Sequence, residues 1–254
     1  MQDSTSPEPT FPVVEIFGPT LQGEGSVIGL KTMFVRFGFC DGVGRSGWCS
    51  WCDSMEAVDP INKSKWQMMT AEQIARDVGA RANETGTFHV TLTGGNPALH
   101  ELGELVDILQ KEMIMVNVET QGTVFRPWLS QVDTLTVSPK PPSAGEWDEG
   151  KFKRFVLGAT ADQYEPETCL KIVVDPYSID DVEFARHVIH DYGHMFHHRV
   201  LSALTPPGFM DYDDSVLADY TRMLAKKVLN DPSFGDVRVL FQYHKFLWGS
   251  QLGV

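Results

Sequence analysis

Short apolar runs recur along the chain, and segments with helical periodicity separate them. The runs are rich in β-branched and aromatic residues and predict eight strands, at Val13–Phe17, Thr32–Phe37, Phe88–Leu92, Met115–Glu119, Thr134–Val137, Cys169–Val174, Arg199–Ala203 and Val237–Gln242. Between the runs, apolar residues recur three and four positions apart, which predicts helices. This alternation favours a mostly parallel sheet covered by helices.

Four amphipathic helices are predicted between these strands. The first begins after Thr70, which can form a capping box with Gln73. The second helix carries Leu102 to Leu109. The third starts near Ser178 and ends before Gly193. The fourth carries Val216 to Val228 and ends before Pro232.

Three segments without clear periodicity are predicted as long loops, at Gly18–Leu30, Gly38–Trp66 and Pro139–Pro166. A complete eight-fold barrel needs about 250 residues of regular units. We therefore predict an α/β fold built as an incomplete, open β/α barrel of about six parallel strands with flanking helices. Residues 1–11 are expected to be a flexible tail, and residues 12–254 a single domain. Long loops at the carboxyl ends of parallel strands are where such folds place their chemistry.

The charge balance argues against a nucleic-acid partner. The chain has 254 residues with 21 basic and 34 acidic side chains, a formal net charge of −13, and a field of that sign repels phosphate backbones. No apolar run approaches the roughly 20 residues of a membrane span, and the N-terminal segment lacks the features of a secretory signal. We therefore expect a cytoplasmic protein that binds neither nucleic acid nor membranes.

Three of the four cysteines are clustered, which points to metal binding. Cys40, Cys49 and Cys52 have the spacing C-x8-C-x2-C, and Cys169 lies in a distant predicted strand. Thiolates suit iron–sulfur clusters or zinc. A structural zinc site normally has four ligands, whereas a [4Fe–4S] cluster held by three thiolates leaves one iron open. The spacing alone leaves open a zinc site completed by a His or Asp, and three ordinary buried thiols.

Taken with its surroundings, the cysteine segment resembles the radical S-adenosylmethionine superfamily and, within it, the 7-carboxy-7-deazaguanine synthase family. Several motifs in the same order carry the resemblance over nearly all of the chain after the tail. They are EIFGPTLQGEGSVIGLKTMFVRFGFC, WCSWCDS, TLTGGNPALHE, VETQGT, TVSPKPPSAG, LKIVVD and FQYHKFLWGSQLGV. An ordered set of motifs is far more specific than any one of them.

The resemblance implies a reaction, cofactors and partners. The family converts 6-carboxy-5,6,7,8-tetrahydropterin to 7-carboxy-7-deazaguanine with loss of ammonia, in the synthesis of 7-deazapurines such as queuosine. The resemblance also implies the abbreviated barrel of the superfamily, a [4Fe–4S] cluster, S-adenosylmethionine, Mg²⁺, an electron donor such as flavodoxin, and a homodimer.

The resemblance also assigns roles to residues of this chain. The three clustered cysteines would hold the cluster, and Ser54 would bind Mg²⁺. The cofactor would contact residues near the third cysteine and at two strand ends, namely Trp51, Asp53, Gly95, Ser138 and Lys140. The pterin would contact Leu21, Gln22, Gly23, Arg36 and Thr93, with Glu24 and His244 as further candidates. An arginine fork suits the carboxylate of the substrate, and an amide suits the pterin edge.

Each assignment has a plainer alternative. Arg36 could be a structural ion-pair partner, Gly94 and Gly95 could simply end a strand, and Gln22 and Glu24 could be surface loop residues. Five histidines between His187 and His198 crowd one helix end; the pair His190 and His194 could bind metal, but a solvated helix end is the favoured interpretation.

The chain departs from the usual family pattern at several positions. Eight residues, rather than three, separate the first two cysteines, Asn96 stands in GGNP where GGEP is usual, Ser54 replaces a threonine, and Gln121 stands where asparagine is frequent. Two other functions remain open from the sequence. One is another small radical enzyme, such as a glycyl-radical activase, and the other is a non-enzymatic metal-binding module.

Overall fold

Nine strands form one sheet in the computed structural model, which describes residues 8–43, 47–160, 166–206, 214–249 and 251. The strands are β1 Phe11–Leu21, β2 Lys31–Phe37, β3 Gln67–Met69, β4 His89–Gly94, β5 Met115–Thr120, β6 Thr134–Val137, β7 Glu167–Val174, β8 His198–Ala203 and β9 Arg238–Leu240. The helices are α1 Met55–Val58, α2 Ala71–Thr85, α3 Gly103–Lys111, α4 Glu149–Ala159, α5 Ile179–Tyr192, α6 Asp214–Leu229 and α7 Tyr243–Trp248.

The sheet is mostly parallel and does not close. Its strand order is β3-β1-β2-β4-β5-β6-β7-β8-β9. From β2 to β9 in this order every pair is parallel, whereas β1 runs antiparallel to both of its neighbours. Seven parallel strands therefore confirm the predicted open α/β architecture, with one strand more than the expected number of about six.

The two faces of the parallel strands differ in polarity. Side chains alternate between faces along a strand, and one face supplies apolar residues such as Val90, Leu92 and Ile172 to a core shared with the helices. The opposite face carries buried polar residues, namely Thr32, Thr91, Asn117, Thr134, Thr136, Lys171 and Ser202. The hydroxyl oxygens of Thr32 and Thr91 lie 3.2 Å apart across this face. The side of the sheet that faces away from the helices therefore offers polar groups to a ligand.

Helix α2 begins where the sequence predicts its cap. Thr70 accepts a hydrogen bond from the Gln73 backbone N–H (3.3 Å), and Gln73 Oε1 accepts one from the Thr70 backbone N–H (2.9 Å). This confirms the capping box, which satisfies two backbone donors that the first turn of α2 would otherwise leave unpaired. Ile74, Val78 and Ala82 then bury the apolar face of α2 against the sheet.

Several details of the predicted elements were wrong. β1 begins at Phe11, one residue inside the predicted tail, and extends to Leu21 within the first predicted loop. Residues 1–7 of that tail lie outside the described residues.

The second predicted loop contains α1 and a 3₁₀ turn at Pro60–Lys65. The third contains α4, whose N-cap is Asp148 and whose buried residues are Phe152, Phe155, Val156 and Ala159. The sequence also missed β3 and α7. Within the described ranges, no helix has the length and apolar character needed to cross a membrane.

Candidate active site

A cavity of about 440 Å³ opens on the polar face of the sheet. Its walls include residues at the carboxyl ends of β4, β5, β7 and β8 and in the segments that follow β6 and β8, among them Thr93, Glu119, Ser138, Val173 and Leu204. Carboxyl ends of parallel strands meet at one edge of a sheet and are the usual place for ligands in such folds. The cavity therefore lies where the sequence analysis places the chemistry, and the assignment of the site stays a prediction.

Three of the four cysteines line this cavity. Cys40, Cys49 and Cys52, the cavity thiols, are all partly buried, and burial raises the pKa of each. Cys49 lies within electrostatic reach of the other two, and all three lie within reach of Lys140, whose positive charge acts to lower their pKa. A metal that accepts electron pairs from three thiolates would offset the energetic cost of ionising them in this partly buried wall.

Cys169 stands apart from the cavity thiols. It lies on β7, is fully buried, and interacts with Ser26. Burial raises the pKa of its thiol to about 11. This cysteine therefore does not supply a fourth thiolate to the same wall.

The spacing of the cavity thiols suits a cluster better than a single zinc ion. Sulfurs on one zinc lie about 4 Å apart because each is about 2.3 Å from the metal. Among the described residues, only Glu149, His187 and Asp191 bring three possible ligand atoms within 4.8 Å of one another. The three sulfurs are therefore spread more widely than a one-ion site requires, which is compatible with the larger size of an iron–sulfur cube.

The residues predicted to contact the cofactor all lie at the cavity. Trp51, Asp53, Gly95, Ser138 and Lys140 all line it. Lys140 Nζ lies 5.9 Å from the centre of the Trp51 ring and donates a hydrogen bond to Ser138 Oγ at 3.3 Å. The structure thus gathers an indole face, an ammonium group and a hydroxyl beside the cavity thiols.

A backbone-supported anchor holds Trp51 in place. Its indole N–H donates to Ser143 Oγ at 3.0 Å, and that hydroxyl donates to the buried Asp181 carboxylate at 2.6 Å. Asp181 also accepts from the Ser143 and Asp175 backbone N–H groups at 2.9 and 3.0 Å. Because Asp181 holds Ser143 through both its backbone N–H and its hydroxyl, Ser143 in turn fixes the orientation of the Trp51 indole ring.

The floor of the cavity is a buried charged cluster that the sequence analysis largely missed. Lys171, on β7, forms an ion pair with Glu24 and lies 3.7 Å from Glu119. Gln22 Nε2 donates to Glu119 Oε1 at 3.0 Å. Glu119 and Lys171 fall in motifs that carry the resemblance, but neither was assigned a role. The available signal was a lysine within the apolar run LKIVV, since a buried cation needs a specific partner.

The electrostatics of this floor follow from its two carboxylates and one ammonium. Burial would raise the pKa of Glu24, but Lys171, His244 and hydrogen bonds lower it to about 2. Burial would lower the pKa of Lys171, but Glu119 and Glu24 raise it above its usual value. At neutral pH, the ammonium therefore faces two carboxylates, and the floor has an excess of negative charge.

A C-terminal segment closes this floor. Gln242 Nε2 donates to Glu24 Oε1 at 2.8 Å, and the Tyr243 backbone N–H donates to the Gly23 carbonyl at 2.9 Å. The His244 ring occupies the space beside Gly23, so a Cβ at position 23 would overlap it. Burial lowers the pKa of His244, which favours the neutral imidazole. Neither Gly23 nor His244 is among the residues that line the cavity, so a contact between either residue and the substrate stays a prediction.

The remaining predicted substrate residues occupy three different environments. Thr93 lines the cavity. Leu21 ends β1 opposite Lys31 and is not among the lining residues. Arg36 is also outside the lining. Its Nε donates to Glu15 Oε1 at 2.7 Å, which is the contact expected if Arg36 is a structural ion-pair partner. Its Nη1 reaches the Ser54 hydroxyl at 3.1 Å, so it remains next to the predicted magnesium ligand.

The histidine-rich helix end lies away from this cavity. His187, His190, His194 and His197 are exposed, and His187 Nε2 lies 3.1 Å from Glu149 Oε1. The three-residue group of possible ligands here contains His187, whereas the predicted pair was His190 and His194. These exposed side chains agree with the expected solvated helix end.

Comparisons with known proteins extend the geometric argument. No protein-family model matches the chain. The chain is 39% identical over 253 residues to a 7-carboxy-7-deazaguanine synthase of Bacillus subtilis, covering 96% of this chain and 98% of the relative. A protein of the same name from Bacillus cereus is 35% identical over 257 residues, covering 96% and 99%.

Solved structures give the same architecture. The crystal structure of QueE from Escherichia coli superimposes with a TM-score of 0.66 at 21% identity, covering 92% of this chain and 95% of that one. Streptococcus suis SuiB bound to S-adenosylmethionine gives a TM-score of 0.51 at 12% identity, covering 80% of this chain and 45% of that one. At such low identity these likenesses concern the fold alone.

Proposed function

Since the chain belongs to the 7-carboxy-7-deazaguanine synthase family, we propose that it converts 6-carboxy-5,6,7,8-tetrahydropterin to 7-carboxy-7-deazaguanine with release of ammonia, a step in 7-deazapurine synthesis of the queuosine type. One observation carries the proposal: a single cavity combines three thiols on its wall with a charged floor of Glu24, Glu119 and Lys171, and the Gln22 amide, which does not itself line the cavity, holds Glu119 by a hydrogen bond. A zinc-binding module would have no need for that floor.

The cavity thiols would hold the cluster. A [4Fe–4S] cluster held there would supply the one-electron reducing chemistry that S-adenosylmethionine cleavage needs. The protein's own groups orient the cofactor: the Trp51 face and Lys140 offer an aromatic surface and a cation beside the thiols, and the turn at Gly94 and Gly95 presents backbone rather than side chains. An ammonium group is suited to the cofactor's carboxylate.

The floor would recognise the pterin through hydrogen bonds. A pterin presents an amide and an amino-substituted edge, which need both donors and acceptors. Glu119 keeps one carboxylate oxygen beside the Gln22 amide, and its other oxygen faces Lys171 at 3.7 Å. The excess negative charge of the floor favours N–H donors over anions. Lys171 holds both carboxylates in position for those donors.

The carboxylate of the substrate and Mg²⁺ would meet near Ser54. The Ser54 hydroxyl and the Asp53 carboxylate lie on the cavity wall, and Asp53 Oδ1 is 3.3 Å from Ser54 Oγ. Both are hard oxygen donors of the kind that Mg²⁺ prefers. Arg36 Nη1 donates to the Ser54 oxygen, which leaves the second lone pair of that oxygen for the metal ion and keeps the guanidinium group beside the proposed Mg²⁺ site.

The proposed function also implies an electron donor and a partner subunit. The cluster needs a one-electron donor such as flavodoxin, and the family resemblance favours a homodimer in the cytoplasm. The floor residues Gln22, Glu24 and Glu119, which lie in the motifs LQGEG and VETQGT, favour this assignment over an activase of a glycyl-radical enzyme. Their amide and carboxylate groups suit a small polar ring.

An anaerobic assay tests the proposal. The reconstituted protein is incubated with dithionite, S-adenosylmethionine, Mg²⁺ and 6-carboxytetrahydropterin, and the products are identified by mass spectrometry. Formation of 7-carboxy-7-deazaguanine and ammonia is expected. If 5′-deoxyadenosine forms without that product, the substrate assignment is wrong, and if neither forms although iron and sulfide are bound, the enzyme assignment fails.

A further inference from the structure

One carboxylate beside Cys40 joins two side-chain amides from different strand ends. Asp41, directly after Cys40, accepts hydrogen bonds from the Asn96 side-chain amide at 2.8 Å and from the Gln121 side-chain amide at 2.5 Å. Asn96 follows β4 and Gln121 follows β5. The two amides therefore meet at the same oxygen, Asp41 Oδ1.

Asn96 also holds the chain on the other side of Cys40. Its backbone N–H donates to the Phe39 carbonyl at 2.9 Å. Phe39 has a φ of 75°, a left-handed conformation that costs a residue with a Cβ about 1–3 kcal/mol and persists only where surrounding contacts enforce it. Asn96 thus binds the residue before Cys40 through its backbone and the residue after Cys40 through its side chain.

The neutral charge of Asn96 is required by its surroundings. The side chain is fully buried. Its oxygen accepts from the Thr120 hydroxyl at 2.8 Å, and its amide nitrogen also lies 3.2 Å from the Thr123 hydroxyl. A carboxylate at position 96 would lie about 3 Å from the Asp41 carboxylate. Asp41 itself is exposed to solvent, so the unfavourable charge would be the one at position 96, which is fully buried beside it.

We propose that Asp41 and Asn96 form a matched positioning pair that fixes Cys40 at the cavity wall, so that a carboxylate at position 41 requires an uncharged donor at position 96. The pair supports the first thiolate at the start of a segment that is longer than usual for the family. The inference rests on the proposed function in one respect, that Cys40 is a cluster ligand.

A reciprocal exchange of the two side chains tests the pairing. Asn96→Asp places two carboxylates against each other. The double variant Asp41→Asn with Asn96→Asp restores one donor and one acceptor, because the new amide at position 41 would donate to the new carboxylate at position 96 and still accept from Gln121. That carboxylate can in turn accept from the Thr120 and Thr123 hydroxyls. Asp41→Asn alone keeps an acceptor at position 41 and completes the cycle.

Iron retention is the readout, since it needs neither substrate nor turnover. Wild type and variants are reconstituted anaerobically, and the loss of iron to a chelator is followed by absorbance. Asn96→Asp is expected to shorten the half-time of iron loss by at least about tenfold, and the double variant to return within about threefold of wild type. Asn117→Asp is the control. Asn117 is also buried and donates to the Val90 carbonyl, but it lies on the sheet away from the Asp41 carboxylate, so Asp41→Asn should not rescue it.

The outcomes separate this inference from the proposed function. Iron retention by Asn96→Asp equal to wild type, or a double variant no better than Asn96→Asp, overturns the pairing. If Asn96→Asp does not fold, the double variant decides by folding or failing to fold. If wild type takes up no iron, the proposed function fails; the thermal midpoints of the same four proteins then decide the pairing, and the same order is expected.

Discussion

Replacing Lys171 by methionine tests how the cavity floor is held together. Methionine keeps most of the length of the side chain and removes its charge. In the wild type, Glu24 and Lys171 side chains are only 12% and 5% exposed, and Glu24 has a pKa of about 2 against an ordinary 4.5. At about 1.36 kcal/mol for each pKa unit, that difference corresponds to about 3 kcal/mol. Loss of one partner of a buried pair costs about 3–5 kcal/mol, so both lines of reasoning predict the same size of effect.

The effect should depend on pH in a defined direction. Because the pKa of Glu24 is lower in the folded protein, its contribution to stability is fully present above about pH 4.5 and is lost as pH falls towards 2. Without Lys171, burial would raise the pKa of Glu24 instead, so the folded variant would gain protons on acidification. The stability difference between wild type and Lys171→Met is therefore largest near pH 7 and shrinks towards pH 4.

Urea denaturation of the cluster-free proteins at several pH values measures this difference, and Lys153→Met is the matched control. Lys153 is an exposed residue of α4, and its replacement is expected to change stability by less than about 0.5 kcal/mol. A difference below about 1 kcal/mol between wild type and Lys171→Met at pH 7, or one that does not change with pH, would refute the reasoning.

Three further predictions follow from the site. Replacing any one of the cavity thiols by alanine should lower reconstituted iron to less than about half, whereas Cys169→Ala should leave it unchanged, as measured by iron and sulfide analysis. Gly23→Ala pushes a methyl group into the His244 ring and should raise KM for the pterin at least about tenfold, while S-adenosylmethionine affinity stays unchanged. Lys140→Met should weaken S-adenosylmethionine binding about tenfold, as measured by calorimetry, because a charge-assisted hydrogen bond is worth about 1.5–3 kcal/mol. Equal affinity would show that Lys140 does not contact the cofactor.

The elements with strong periodicity could be predicted from the sequence. β6 has the predicted bounds of Thr134–Val137, and α2 has the predicted capping box. α4 was missed although Phe152, Phe155, Val156 and Ala159 have helical spacing, because Gly150 and a charged first turn obscured the pattern within a proline-bounded segment. β3 has three residues and exists through pairing with β1, which a local pattern does not reveal.

The candidate site was predictable to a different degree on each side of the cavity. Cys40 and Lys140 lie just after strand ends, and Cys49 and Cys52 follow Cys40 in one recognisable motif, so the sequence was enough to predict that they line one site. The floor depends on contacts between Glu24, Glu119 and Lys171, which are far apart in the chain. Their pairing follows from sheet order, and a sequence shows only that an unusual lysine lies within an apolar strand.

The contact between Gln242 and Glu24 joins residues that are 218 positions apart. At a synthesis rate of about 5–20 residues per second, at least about ten seconds separate the appearance of the two residues on the ribosome. A nascent chain can therefore build most of its sheet and helices before the cavity floor has any C-terminal wall. Chains interrupted before Gln242 would carry the cavity thiols but lack the contacts that close the floor on the C-terminal side.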